Sequence, residues 1–134
     1  MSEIEASPPP GFARMRPPGT FVNRVGEFFV REEANGERTV GTWVGKNQAN
    51  SEGFAHGGFL LAFADFAITF ITMGVTLHLS ADFLRPARVG DWIEARIVER
   101  KRSGRLIFAD AVANCADREI LRFSGLLRPF EKNR

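Results

Sequence analysis

The sequence predicts an α+β domain in which a curved antiparallel sheet wraps one long central helix. Three observations lead there. Apolar residues fill nearly every position from Gly57 to about Thr72, a run of helical rather than strand length. Alternating segments bounded by turn signals follow it as far as Arg128. A hairpin pattern precedes it, centred on Asn35-Gly36. At 134 residues the chain is long enough to bury one core without staples, so one domain is expected.

In chain order, residues 1–20 come first and hold five prolines, including Pro8-Pro9-Pro10 and Pro17-Pro18. Proline removes a backbone donor and fixes φ, so this segment is predicted to be extended or mobile rather than helical. A single domain over residues 21–134 is expected after it. Phe28 to Glu33 and Arg38 to Val44 form the hairpin, and Lys46 to Ala55 a polar loop without apolar periodicity. The central helix is placed at 57–72. Leu60, Leu61, Ala62, Ala64 and Ala67 favour helix there, and Gly74 supplies a stop signal. A helix apolar all round must be surrounded on most sides.

Alternation then takes over. Val75, Leu77, Leu79, Ala81 and Phe83 are placed on one face of a strand, and Thr76, His78, Ser80 and Asp82 on the other. Trp92 to Lys101, Leu106 to Cys115 and Glu119 to Arg128 complete four consecutive antiparallel strands. One helix covers only part of such a sheet and leaves edge strands open. Pairing with a second copy is the economical way to finish both core and edge.

Composition narrows the function classes. The formal net charge is only +2, which does not point to nucleic acid. Lys and Arg exceed Asp and Glu by 12 to 7 over residues 85–134, which suits a phosphate-bearing ligand or a solvated sheet edge. Cys115 is the single cysteine, so neither an internal disulfide nor a thiolate metal site is expected. The N-terminus lacks a basic-then-apolar signal pattern and no apolar run reaches membrane-spanning length. A cytoplasmic protein without membrane contact is expected. With no tyrosine in the chain, phenolic acid-base catalysis is excluded. There is no G-x-S-x-G elbow, P-loop or dinucleotide fingerprint, and two histidines with no acid beside them make no metal set.

The chemistry concentrates at the helix. Gly57 and Gly58 expose N–H groups at its start, where the first four donors lack internal partners and the dipole is positive. That is either a site for a developing oxyanion or close packing. Asp65 is the only ionisable residue between Gly57 and Thr72. Either it is a structural acid, bonded to Thr69 one turn on or to a neighbouring strand, or it does chemistry. Eight residues of helix separate Gly57 from Asp65 by roughly 12 Å, too far for one side chain to bridge. If the two cooperate, Asp65 must reach the helix start of a second subunit across a twofold axis. Asn50 is a donor for a carbonyl or water, or a loop-stabilising turn residue with Asn47 as a rival. His56 is either a general base or the side chain that fixes the loop. Arg85, Arg88, Lys101, Arg102 and Arg105 lie near turns, as phosphate contacts or solvated charges, and Trp43 and Trp92 read as sheet and core residues.

The pattern Asn50-x-x-Gly53-x-x-His56-Gly57-Gly58 with Asp65 downstream resembles the signature of hotdog-fold acyl-CoA thioesterases of the phenylacetate-pathway, PaaI-like group. Val75-Thr76 and Phe83-Leu84-Arg85-Pro86-Ala87 with Gly90-Asp91 resemble that family's strand after the helix. The resemblance spans about residues 26–128. It implies hydrolysis of acyl-CoA in a homodimer or a dimer of dimers, with coenzyme A as part of the substrate and no other cofactor. It implies that the Gly57 N–H polarises the thioester carbonyl and that Asp65 of the partner activates water or attacks directly. Asn50 is expected near the carbonyl or water, with His56 shaping the loop. Apart from the resemblance, Thr69 is expected to hold Asp65 from its place one turn on; nucleotide contacts vary within that family, so Arg85 and Arg88 are substrate candidates on their charge alone, with Gly58 beside Gly57. The Met73-Gly74 connection is shorter than is common in that family, so its acyl-chain preference does not carry over. A non-catalytic acyl-CoA-binding module of the same fold is the alternative reading.

Overall fold

The computed structural model describes residues 7–130. The elements are β1 (Ala13–Arg14), α1 (Thr20–Val25), β2 (Phe28–Glu32), β3 (Arg38–Trp43), α2 (Gly57–Thr72), β4 (Gly74–Phe83), β5 (Trp92–Arg102), β6 (Ile107–Cys115) and β7 (Arg118–Pro129). One antiparallel sheet of seven strands, in the order β1-β2-β3-β5-β6-β7-β4, wraps the single long helix.

The helix occupies the predicted residues. His56 caps its start, where Nδ1 accepts the Gly58 N–H at 2.8 Å. Met73 ends it in the left-handed conformation at φ 59°, its N–H bonded to the Thr69 carbonyl. The stop therefore lies at Met73 and not at Gly74. Gly74 is needed for a different reason, since a Cβ there would stand 3.0 Å from the Arg128 carbonyl oxygen. Phe63, Ala64, Ala67 and Ile68 are fully buried against the sheet, and Phe28 stacks on Phe66 at 5.1 Å. Truncating a ring such as Phe63 in a core of this kind costs about 3–5 kcal/mol.

Coverage is not complete. Gly58, Leu61, Ala62, Asp65, Thr69 and Met73 are exposed or half-buried, and at helical spacing they form one stripe along α2. This open stripe holds the only carboxylate of the helix.

The proline-rich segment packs on the domain from Phe12 onward; its first six residues lie outside the described residues. Phe12 is buried edge-on to Trp92 at 5.0 Å, under the Arg31 guanidinium, and Ala13–Arg14 pair with β2. Trp92 lies over Gly41, where a Cβ would intrude on its ring. The short α1 was not foreseen, because six residues are too few to display a period.

The four later strands are antiparallel, but β4 is not beside β5. It pairs with β7 and closes one edge of the sheet, while β5 joins β3. Residues 84–91 therefore cross one end of the sheet, where Ala55 N–H bonds to the Ala87 carbonyl at 2.8 Å. The crossing is also held by the isolated Phe54–Arg88 bridge. It lies against the loop that leads into α2.

A second difference changes one face of β4. The register shifts between Thr76 and His78, leaving Leu77 as the extra, bulged residue. Thr76 pairs with the buried Leu127, Ala81 with Phe123 and Phe83 with Leu121. Thr76 thus shares the inward face with Leu79, Ala81 and Phe83. Strict alternation had placed it with His78, Ser80 and Asp82.

Candidate active site

Two groups of predicted residues lie about two turns apart along α2. At its N-terminus, Asn50 ties the approaching loop: its Oδ1 accepts the N–H groups of Glu52 at 3.0 Å and Phe54 at 3.1 Å. Its amide NH2 has no partner among the described residues. Gly53 takes φ 84° in this tight turn and donates to the Asn50 carbonyl. The His56 N–H bonds to the Gln48 carbonyl, so both ends of the loop are fixed.

The cap at His56 decides its tautomer. An Nδ1 that accepts a hydrogen bond carries no proton, so the neutral ring is protonated at Nε2. His56 occupies the Gly58 donor and leaves the Gly57 N–H with no acceptor among the described residues. This donor, on a half-buried glycine, is backed by the positive end of a sixteen-residue helix.

Beside it is a cleft of about 290 Å³, walled by Phe54, Gly57, Leu60, Phe83 and Pro86. Arg85 and Arg88 are exposed nearby. The Arg85 guanidinium donates to the Glu119 carbonyl at 3.3 Å, and that of Arg88 lies 4.9 Å from the Phe54 ring centroid. A larger groove of about 630 Å³ lies among Asp82, Arg96, Arg100, Asp110 and Arg122 on other parts of the sheet. It includes none of the predicted site residues.

Two turns along α2, Asp65 is half-buried on the open stripe. The Thr76 hydroxyl donates to its Oδ1 at 2.5 Å. No other donor among the described residues reaches this carboxylate. Thr69 does not hold the acid: its hydroxyl bonds the backbone carbonyls of Asp65 at 2.9 Å and Phe66 at 3.1 Å. Thr76 is the residue that sequence reasoning missed, since only the bulge at Leu77 turns it inward. Its place in the Val75-Thr76 pair was the available signal.

Comparison with known proteins identifies the family and the fold. Residues 52–119 match the thioesterase superfamily, so the chain belongs to that family. It has the hotdog fold and is PaaI-like. Across 88% of this chain and 94% of its relative, it is 32% identical to PA0474 of Pseudomonas aeruginosa, a protein inferred to be an esterase. The TT0310 protein from Thermus thermophilus superposes with a TM-score of 0.75 at 32% identity, covering 87% of this chain and all 100% of that one. A variant of the phenylacetic acid degradation protein PaaI from the same organism gives 0.73 at 30% identity, covering 82% and 98%. A hypothetical thioesterase protein from Streptococcus pneumoniae, solved with coenzyme A, shares the fold at a TM-score of 0.72 and 19% identity, over 80% and 88% of the two chains.

Proposed function

We propose that this protein hydrolyses acyl-CoA thioesters to the free acid and coenzyme A, in a homodimer whose two active sites are each built from both subunits. The reading rests on one observation above all. The α2 stripe left open in the single chain carries Asp65 at its middle and leads back to the helix start, where the Gly57 N–H is unpaired. The two groups are too far apart along one helix, about 12 Å, to act on one bond. Antiparallel packing of two α2 stripes brings Asp65 of each subunit to the Gly57 of the other. It also covers Leu61 and Met73, which are 39% and 57% exposed.

In that site the thioester oxygen accepts the Gly57 N–H, which strengthens its hydrogen bond as negative charge develops on the oxygen. The free amide of Asn50 is the second donor at the carbonyl or the water. Asp65, with Oδ1 held by Thr76, offers its other oxygen to a water. It removes the proton as the water oxygen attacks the carbonyl carbon, and the thiolate of coenzyme A leaves. Direct attack by Asp65 gives the same products through an anhydride. His56 acts as a positioning residue, since its ring is spent on the helix cap. Gly58 lines the approach, and Arg85 and Arg88 receive phosphate. The reaction needs neither metal nor further cofactor, and a cytoplasmic setting and a further pairing of dimers belong to the same proposal.

The experiment is release of coenzyme A from a panel of acyl-CoAs by wild type and Asp65→Asn. General-base catalysis is worth about 10²–10⁴ in rate, so a loss of that size is expected. Unchanged turnover would remove Asp65 from the mechanism. Binding without turnover in wild type would favour a non-catalytic acyl-CoA-binding module.

A further inference from the structure

We infer that Phe83 is a specificity-determining residue that grips the thiol arm of the substrate, between the reacting sulfur and its phosphates. Phe83 is the last residue of β4 and shares the inward face with Leu79 and Ala81. It is nonetheless 53% exposed, a large aromatic surface left at the mouth of a cleft. A Cβ built on Gly57 would lie 3.7 Å from ring atoms Cε1 and Cζ. The ring therefore stands in van der Waals reach of the residue whose N–H takes the carbonyl.

Phe54 lines the same cleft, and the Arg88 guanidinium lies over its ring at 4.9 Å. Arg85 also borders the cleft, oriented by the Glu119 carbonyl. The cleft thus brings together a carbonyl-binding donor, two phenylalanines and the Arg85 cation, with Arg88 stacked on Phe54 beside it. A thioester docked at Gly57 has two arms, and only the coenzyme A arm carries phosphates. Charge assigns that arm to the cleft and sends the acyl arm away from Phe83. The inference rests on the carbonyl being placed at Gly57. It adds a residue that discriminates by the thiol rather than by the acid.

The test compares one acyl group presented as its coenzyme A ester and as its N-acetylcysteamine ester, which lacks most of the arm. Phe83→Ala is expected to raise KM for the coenzyme A ester about tenfold, with kcat within about twofold. It should cost the truncated ester clearly less and leave the ranking of acyl chains unchanged. Phe83→Leu, which keeps apolar contact, should recover most of the loss and controls for folding. Equal losses on both esters, or a changed acyl ranking, would overturn the assignment, as would no loss on either. Calorimetric titration with free coenzyme A reads the same contact without turnover. A wild type that binds coenzyme A, with Phe83→Ala about tenfold weaker, supports the inference even if no ester is hydrolysed. A wild type that fails to bind coenzyme A overturns it.

Discussion

A carboxylate set into an apolar helix needs a hydrogen-bond donor, and Asp65 finds the Thr76 hydroxyl at 2.5 Å. That single bond fixes one oxygen and leaves the other to act. Thr76→Ala should therefore lower kcat more than it raises KM, and Thr76→Ser should restore most of the rate; steady-state kinetics on one acyl-CoA separates these cases. At the start of α2 the chemistry asks for a single N–H. Gly57→Pro removes it while suiting the first helical position, and His56 at ψ 136° already has the extended backbone a following proline prefers. A loss of about 10²–10³ in kcat with unchanged helix content by circular dichroism is expected. Asp65, His56 and Gly57 were legible in the sequence because each departs from what its position favours. Thr76 was not, because its facing depends on a register shift that alternation does not record.

The helix is the element the sequence describes best. Its apolar run leaves no other way to bury Phe59, Phe63 and Ile68, and its bounds are met at both ends. The strands were legible as segments and less so as faces. In β4 the extra residue Leu77 rotates what precedes it, so a regular period misplaces Val75 and Thr76. The small α1 and the two-residue β1 carry too little pattern to read; packing on the sheet defines them. The sheet itself makes a sharp prediction at Gly41, which lies under the Trp92 ring. Gly41→Ala should destabilise the domain by about 1–3 kcal/mol through overpacking, seen as a lower Tm and altered tryptophan fluorescence. No change in either would mean that the ring moves freely off the strand.

At the scale of the molecule, the position of β4 matters most. Strands consecutive in sequence suggest a simple meander, yet β4 closes the edge beside β7 and forces residues 84–91 across the end of the sheet. That crossing packs Ala87 and Arg88 against the loop before α2 and forms a wall of the cleft. Sequence spacing could reveal that Gly57 and Asp65 are too far apart to share a bond within one chain. It also required the second chain to meet this one at the central helix, across a twofold axis; the uncovered stripe of α2 supplies the surface. Sharing each site between subunits is the central claim, and mixing two inactive variants tests it most directly. Asp65→Asn and Gly57→Pro are unfolded together and refolded as a mixture, then assayed for coenzyme A release. Random pairing makes half of the dimers mixed, and each mixed dimer holds one site with both groups intact. About one quarter of wild-type activity is therefore expected to return. A mixture no more active than the two variants measured separately, although mixed dimers are present, would contradict a site shared between subunits.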